Sequence, residues 1–207
     1  MLENTAIILS GGKSSRMDFK NKAFFKMGGK SLIEVVLKEV SIFKEILVVA
    51  NNPSRYQSLG MKIVPDIIPN HGPLSGIHAG LVHAKYENCM VLPCDMPFVT
   101  EALIKYLVGL AKDCDVVVPK VGDYFQPLCA VYSKNCIEQI ERCMKSGINK
   151  VTDVYPRVKV KHVEEKEINL YGNVDDLFRN INQFFDYKKY CLQQEPLKTL
   201  LYEESLV

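Results

Sequence analysis

The residues best suited to phosphate chemistry follow the first apolar run of the chain. That run, Thr5–Ser10, is ended by the adjacent glycines Gly11 and Gly12, after which basic residues cluster at Lys13, Arg16, Lys20 and Lys22. Adjacent glycines let a backbone approach a ligand closely and present its N–H groups, and several cations together can neutralise a triphosphate. This segment therefore predicts a nucleotide-binding turn, and a solvated basic loop without a ligand is the alternative.

The turn matches neither of the two common phosphate-binding motifs. A Rossmann fingerprint, G-x-G-x-x-G, requires a third glycine that is missing here. Gly29-Lys30-Ser31 matches the end of a P-loop, but Phe24 stands where that motif requires its first glycine.

A carboxylate stands in a comparable position later in the chain. Asp95 closely follows the apolar run Cys89–Leu92, within the sequence Pro93-Cys94-Asp95-Met96-Pro97. Open α/β sheets bind ligands beyond the carboxyl ends of their strands, where a carboxylate can hold Mg²⁺ and, through it, a phosphate. We therefore predict Asp95 as a metal ligand, with a turn or a helix cap as its alternative role.

Further polar residues follow other apolar runs. Asn51 comes after Glu45–Ala50 and Asp66 after Lys62–Val64, and each is either a ligand contact or an ordinary turn residue. The loop Gly72-Pro73-Leu74-Ser75-Gly76 has the character of a helix start, so its N–H groups could face a base or a phosphate. Simple loop closure is the alternative for this segment.

The elements that must position these residues alternate along the chain. The predicted strands are Thr5–Ser10, Glu45–Ala50, Lys62–Val64, Cys89–Leu92, Asp115–Pro119 and Leu128–Tyr132. Helices are predicted from the cap Ser31 to Ser41, with Glu34 completing a capping box, from Gly76 to about Lys85, and from the cap Thr100 to about Ala111. This alternation predicts an α/β fold with a mostly parallel sheet covered on both faces.

The final third of the chain is less regular. Arg157–Val163 alternates apolar and basic residues, which predicts an edge strand, and the stretch from Asp175 to about Gln194 holds one or two helices. We predict a single domain over residues 1–190. Residues 191–207 form either a tail or a docked helix.

Composition excludes several classes of protein. Of the 207 residues 47% are hydrophobic and 24% charged, and the net charge is +2, so bulk electrostatics gives no reason to expect a nucleic-acid or membrane partner. The seven cysteines include no Cys-x-x-Cys pair and the histidines no zinc-binding spacing. The thiols therefore read as small core residues of a protein in the reducing cytoplasm.

These motifs, in this order, resemble those of the molybdenum cofactor guanylyltransferases. The family pattern L-A-G-G-x-S-x-R-M-G-x-D-K is similar to the stretch from Leu9 to Met17 followed by Lys22. Its V-x-A-N is similar to Val48–Asn51, its G-P-L-A-G to Gly72–Gly76, and its P-C-D-x-P to Pro93–Pro97. Its F-x-N-I-N resembles Phe178–Asn182.

The resemblance implies a Rossmann-like three-layer α/β/α fold of the nucleotide-diphospho-sugar transferase type. It also implies transfer of GMP from GTP to the terminal phosphate of molybdopterin, with Mg²⁺ as cofactor and molybdopterin-delivering proteins as partners. The implied GTP-binding residues are Leu9, Ser10, Gly11, Gly12, Lys22, Asn51, Asp66 and Asp95, of which Asp95 holds the metal. The implied catalytic residues are Lys22, Arg16 and Asp95, and the implied substrate-loop residues are Gly72, Pro73, Leu74, Ser75, Gly76, Asn180 and Asn182.

The chain departs from the family pattern at Asp18, where glycine is usual, and at Asn21, where aspartate is usual. Two alternatives therefore remain open. One is a related nucleotidyltransferase that uses CTP or a sugar-phosphate acceptor, and the other is a GTP-binding module without catalysis.

Overall fold

The computed structural model describes residues 1–11 and 22–181. Its strands are β1 (Leu2–Leu9), β2 (Lys26–Met27), β3 (Lys30–Ser31), β4 (Phe43–Val49), β5 (Lys62–Val64), β6 (Asn88–Pro93), β7 (Val116–Val121), β8 (Tyr124–Phe125), β9 (Ala130–Ser133) and β10 (Val160–Glu164). Its α-helices are α1 (Leu32–Glu39), α2 (Pro73–His83), α3 (Glu101–Gly109), α4 (Cys136–Lys145), α5 (Glu165–Ile168) and α6 (Val174–Leu177). Three 3₁₀ helices cover Lys22–Phe24, Pro53–Leu59 and Val151–Arg157.

The central sheet is mostly parallel, as the sequence predicts. Its strand order is β10-β7-β9-β6-β1-β4-β5, with β8 paired to β7, while β2 and β3 form a separate hairpin. The pairs β1–β4, β1–β6, β4–β5 and β7–β10 are parallel. Strand β9 runs antiparallel to both β6 and β7, so β6 and β7 point the same way and end at the same edge.

Helices cover both faces of this sheet because its central strands are apolar on both sides. Along β1, Ala6 and Ile8 belong to the core beneath α1 and α3, whereas Ile7 and Leu9 belong to the core beneath α2 and α4. All four residues are at most 9% exposed. The result is the three-layer α/β/α fold.

Local sequence signals account for the helix starts. The Glu34 carboxylate accepts hydrogen bonds from the N–H (2.7 Å) and the hydroxyl (2.6 Å) of Ser31, which completes the predicted capping box of α1. The Thr100 hydroxyl caps α3 by accepting from the Leu103 N–H at 3.3 Å. Among the described residues, no helix is long and apolar enough to cross a membrane.

Several predicted boundaries were wrong. Helix α2 starts at Pro73 rather than Gly76, because proline is well suited to the first helical position. The strand predicted over Leu128–Tyr132 begins only at Ala130 and is antiparallel to its neighbours. The edge strand predicted from Arg157 begins at Val160, since a 3₁₀ helix occupies Val151–Arg157. The domain boundary predicted at residue 190 lies outside the described residues.

Candidate active site

The turn after β1 and the carboxylate after β6 lie side by side. Leu9 pairs with Val49 of β4 on one side and with Pro93 of β6 on the other. Beyond these pairs the Cys94 N–H donates to the Leu9 carbonyl at 3.0 Å, and the Ser10 N–H donates to the Val49 carbonyl at 2.9 Å. Gly11 and Asp95 therefore leave adjacent strands at the same edge of the sheet.

Lys22 also lies near the ends of β1 and β6, although it is eleven positions after Gly11 in the chain. It opens the 3₁₀ helix Lys22–Phe24, and its positive charge acts on the carboxyl group of Asp95. Burial raises the pKa of the half-buried Asp95, and the Lys22 ammonium opposes that rise only in part. The protein thus holds a carboxylate whose negative charge is poorly solvated, and such a group gains from a bound cation.

Asn51 and Asp66 form a reciprocal pair on the other side of β1. The Asn51 side-chain amide donates to the Asp66 carboxylate at 2.8 Å, and the Asp66 N–H donates to the Asn51 side-chain oxygen at 3.0 Å. They follow the neighbouring strands β4 and β5, so this pair closes the edge of the sheet next to the turn after β1. The structure thus brings together these two residues, which the sequence could only suggest separately.

The predicted loop Gly72–Gly76 is mostly the first turn of α2 and lies against this edge. Gly72 has φ +59°, a left-handed conformation that favours glycine, and the Ser75 hydroxyl accepts from the His71 N–H at 3.1 Å. Gly76 passes so close to β1 that a Cβ there would lie 3.0 Å from Leu9 Cδ2 and 3.9 Å from Asp66 Oδ1. The side chains of Leu74 and Ser75 are buried. A ligand at this turn would therefore contact the main chain of the turn and the exposed residues Gly72 and Pro73.

The C-terminal motif also reaches the site. The Ile181 N–H donates to the Asp95 carbonyl at 2.9 Å, which places the exposed Asn180 beside the end of β6. Gly12, Arg16 and Asn182 lie outside the described residues, as do the departures at Asp18 and Asn21.

Sequence reasoning missed Tyr56. This buried side chain in the 3₁₀ helix Pro53–Leu59 contacts Ser10 through its hydroxyl group and Phe24 through its ring. Nothing local in the sequence indicates these contacts, because they join residues that are far apart in the chain.

A cleft lies at the opposite edge of the sheet from the candidate site. It encloses about 300 Å³, and its lining includes Asn88, Asp115, Ser133, Asn135 and Lys159. Burial works against ionisation of Asp115, but hydrogen bonds from the Lys159 N–H, Asn135 and Ser133 outweigh it and lower the pKa of that carboxyl. Asp115 is thus a satisfied structural carboxylate, and none of the predicted site residues lines this cleft.

In a three-layer α/β/α fold, strand ends that bring together a glycine turn, a lysine and a carboxylate are suited to binding a nucleotide, as a nucleotidyltransferase does. The model of the MobA-like NTP transferase domain matches residues 6–161. The chain belongs to this family.

Individual relatives agree with this assignment. The chain is 37% identical over 197 residues to a probable molybdenum cofactor guanylyltransferase of Clostridium perfringens, with 94% of this chain and 100% of the relative covered. It is 39% identical to the protein of the same description from Pelotomaculum thermopropionicum, with 96% and 97% covered. Among solved structures, molybdopterin-guanine dinucleotide biosynthesis protein A of Archaeoglobus fulgidus matches with a TM-score of 0.76 and 28% identity, covering 91% of this chain and 99% of the other.

Proposed function

We propose that this protein transfers GMP from GTP to the terminal phosphate of molybdopterin and releases pyrophosphate. The observation that carries the proposal is the meeting of Gly11, Lys22 and Asp95 at one sheet edge. The relatives named as molybdenum cofactor guanylyltransferases favour this reaction over others of the same class.

In this proposal the nucleotide binds across the ends of β1, β4 and β5. Leu9, Ser10, Gly11 and Gly12 contact the guanine and the ribose, and Asn51 and Asp66 fix the nucleoside. The reciprocal bonds between Asn51 and Asp66 support their role, because each holds the other in one orientation before a ligand arrives. The turn at Gly72–Gly76 lies against the same edge and agrees with the guanylyl form of the family motif.

Asp95 suits the Mg²⁺ that this chemistry requires. Mg²⁺ at nucleotide sites is bound through one or two carboxylates together with substrate phosphates, so a single well-placed aspartate is sufficient. The raised pKa of Asp95 supports the assignment, since a bound cation would relieve the desolvated negative charge. When bound, Mg²⁺ would neutralise phosphate charge, and Asp95 would hold it.

The reaction needs positioning and charge neutralisation more than proton transfer. A terminal phosphate oxygen of the acceptor forms a bond to the α-phosphorus of GTP as the bond to the leaving pyrophosphate breaks. The nucleophile is already an anion at pH 7, so no strong general base is required. Lys22, with Arg16, stabilises the negative charge of the leaving group. We assign Asn180, Asn182 and the turn at Gly72–Gly76 to contacts with the substrates.

The test combines the purified protein with Mg²⁺, molybdopterin and either GTP or CTP. We expect pyrophosphate release and the guanine dinucleotide product with GTP, and little of either with CTP. Turnover that prefers CTP, or that needs a sugar phosphate in place of molybdopterin, would identify the related nucleotidyltransferase instead. Calorimetric binding of GTP without any turnover would identify a GTP-binding module.

We also propose that residues 1–190 fold as one domain. The central sheet, which spans Leu2 to Glu164, supports a single core. Removal of residues 191–207 should leave one cooperative thermal transition, whereas two transitions before or after truncation would contradict the proposal.

A further inference from the structure

Tyr56 connects two parts of the site that are distant in sequence. It lies in the 3₁₀ helix after β4, and its side chain is 1% exposed. Its hydroxyl group contacts Ser10, directly before Gly11, and its ring contacts Phe24, two residues after Lys22. The same side chain thus touches both ends of the candidate nucleotide-binding segment.

The hydrogen bonds to Ser10 have a defined direction. The Ser10 carbonyl can only accept, so the single phenol proton of Tyr56 goes to that oxygen, at 2.8 Å. The Ser10 hydroxyl then donates its own proton to the phenol oxygen, at 2.9 Å. The buried Tyr56 hydroxyl group therefore donates one bond and accepts another, and together these fix both the main chain and the side chain of Ser10.

The aromatic ring of Tyr56 fixes the second end of this segment, at Lys22–Phe24. The ring centroids of Phe24 and Tyr56 are 5.2 Å apart and the ring planes are tilted by 42°. Phe24 closes the short helix that Lys22 opens, Ala23 between them is fully buried, and the Phe25 N–H donates to the Lys22 carbonyl at 3.0 Å. The main chain of Lys22 is consequently held in a fixed position relative to Tyr56.

The same contacts continue to the candidate metal ligand. The Cys94 N–H donates to the carbonyl of Leu9, the residue before Ser10, at 3.0 Å. The residue after Cys94 is Asp95, the candidate metal ligand. A continuous path of contacts therefore runs from Phe24 through Tyr56 to Ser10, and through the main chain of Leu9 to Cys94 at the end of β6.

We propose that Tyr56 is a positioning residue that sets the placement of Lys22 relative to Gly11 and Asp95, and thereby the affinity for GTP. The inference rests on the proposed function and deepens it, because it identifies what prepares the triphosphate site. A phenylalanine would fill nearly the same volume at this position. The hydroxyl group, which a merely space-filling role does not require, makes the link to Ser10.

The test compares Tyr56→Phe with the matched control Tyr106→Phe. Tyr106 also donates its hydroxyl proton to another element, at 2.6 Å to Glu167, and stacks on a second ring, at 4.7 Å from Tyr171. GTP affinity is measured by calorimetry with Mg²⁺, together with kcat and KM and the thermal midpoint of each variant. We expect Tyr56→Phe to fold and to bind GTP on the order of 10- to 100-fold more weakly, with a raised KM, and Tyr106→Phe to bind as the wild type does.

Phe24→Leu provides a second, independent measurement. This substitution removes the ring contact between Phe24 and Tyr56. In the double variant, the losses of GTP affinity caused by Phe24→Leu and by Tyr56→Phe should therefore sum to less than full additivity. Fully additive losses would show two unrelated defects and would overturn the inference.

A lowered thermal midpoint of Tyr56→Phe with wild-type GTP affinity and KM would also overturn it, because Tyr56 would then serve stability alone. The test of Tyr56 can be distinguished from the test of the proposed function, because it measures GTP affinity and not GMP transfer. If the wild type binds GTP but transfers no GMP, the proposed function fails while the affinity comparison still decides the role of Tyr56.

Discussion

The main-chain N–H of Ile181 donates a 2.9 Å hydrogen bond to the carbonyl oxygen of Asp95. The two residues are far apart in the chain, and this bond attaches the C-terminal motif to the strand end that carries the candidate metal ligand. Ile181 is fully buried, so its side chain anchors the attachment while the neighbouring Asn180 stays exposed.

Ile181→Ala should therefore impair both stability and turnover. Removing buried methyl groups typically costs ~2–5 kcal/mol, and loosening the main chain at Asp95 should reduce kcat as well. Urea denaturation and steady-state kinetics measure the two effects. Leu170→Ala, at a residue that is 80% exposed, is the control and should change stability by less than ~0.5 kcal/mol. Full activity in folded Ile181→Ala would show that the attachment does not support Asp95.

Asp95→Asn should abolish most of the activity and yet stabilise the fold. Loss of the proposed metal ligand should lower the rate by at least ~10²-fold, as removal of one preorganised group does elsewhere. Because burial disfavours the charged form of Asp95, a neutral side chain should raise the thermal midpoint, by ~2–4 °C if the gain is about 1 kcal/mol. The exposed Asp113 at the other edge of the sheet supplies the control Asp113→Asn, which should leave both quantities unchanged. Near-normal turnover of Asp95→Asn would refute the metal assignment.

The pH dependence follows from the same carboxyl group. Burial raises the pKa of Asp95 above its ordinary value of 3.8, so the native state keeps this proton to a higher pH than the unfolded state does. Between those two pKa values the group makes stability fall as pH rises, and Mg²⁺-dependent activity should disappear on acidification before an exposed aspartate would be protonated.

Lys22→Met should raise the pKa of Asp95 further, because it removes the positive charge that opposes the effect of burial. Carbon-13 NMR titration of the carboxyl groups measures this pKa directly in the wild type and in the variant. Lys112→Met, near the cleft at the opposite edge, should leave it unchanged. If the pKa of Asp95 stayed the same in Lys22→Met, the Lys22 ammonium would not lie close enough to Asp95 for both to act in one site.

The reciprocal bonds between Asn51 and Asp66 predict energetic coupling in GTP binding. Asn51→Ala and Asp66→Ala should each raise the dissociation constant for GTP. The double variant should lose less than the sum, with a coupling energy of about 1 kcal/mol, because Asn51→Ala already removes the bond between the two side chains that Asp66→Ala removes. Calorimetry of the four proteins completes the cycle. Additive losses would mean that each residue contacts the nucleotide independently.

Gly80→Ala should destabilise the protein through a steric clash between α2 and β1. A Cβ at Gly80 would lie 2.8 Å from Ile7 Cδ1, closer than real contacts allow, so α2 would have to move away from β1. Overpacking of this kind typically costs ~1–3 kcal/mol, measurable by urea denaturation. Gly109→Ala is the matched control, since a Cβ there would meet nothing within 4 Å. Unchanged stability of Gly80→Ala would show that the helix can shift freely.

Local signals in the sequence were sufficient for most of the sheet and its helix caps. The short strand Lys62–Val64 and the caps at Ser31 and Thr100 were confirmed because each depends on neighbouring residues. The β7–β8 hairpin was overlooked although it has a recognisable signal, Gly122-Asp123 between Val121 and Tyr124. Pro73 was likewise read as a loop residue when it begins α2.

The candidate site was predictable only as separate pieces. Residue types and strand ends indicated Asp95 and Asn51, but the bond between Asn51 and Asp66 required the register of β4 against β5. Tyr56 could not be found at all, because its partner Ser10 is 46 positions away and no periodicity connects them. Long-range packing, rather than local preference, determines such contacts.

The strand order places the earlier strands of the chain on one side of the sheet and the later strands on the other. The adjacent strands β5, β4, β1 and β6 all come from the unbroken stretch Leu2 to Pro93, and the antiparallel β9 joins them to everything that follows. The residues that we propose to bind the donor nucleotide, from Leu9 to Asp95, therefore all belong to one continuous half of the sheet and its loops.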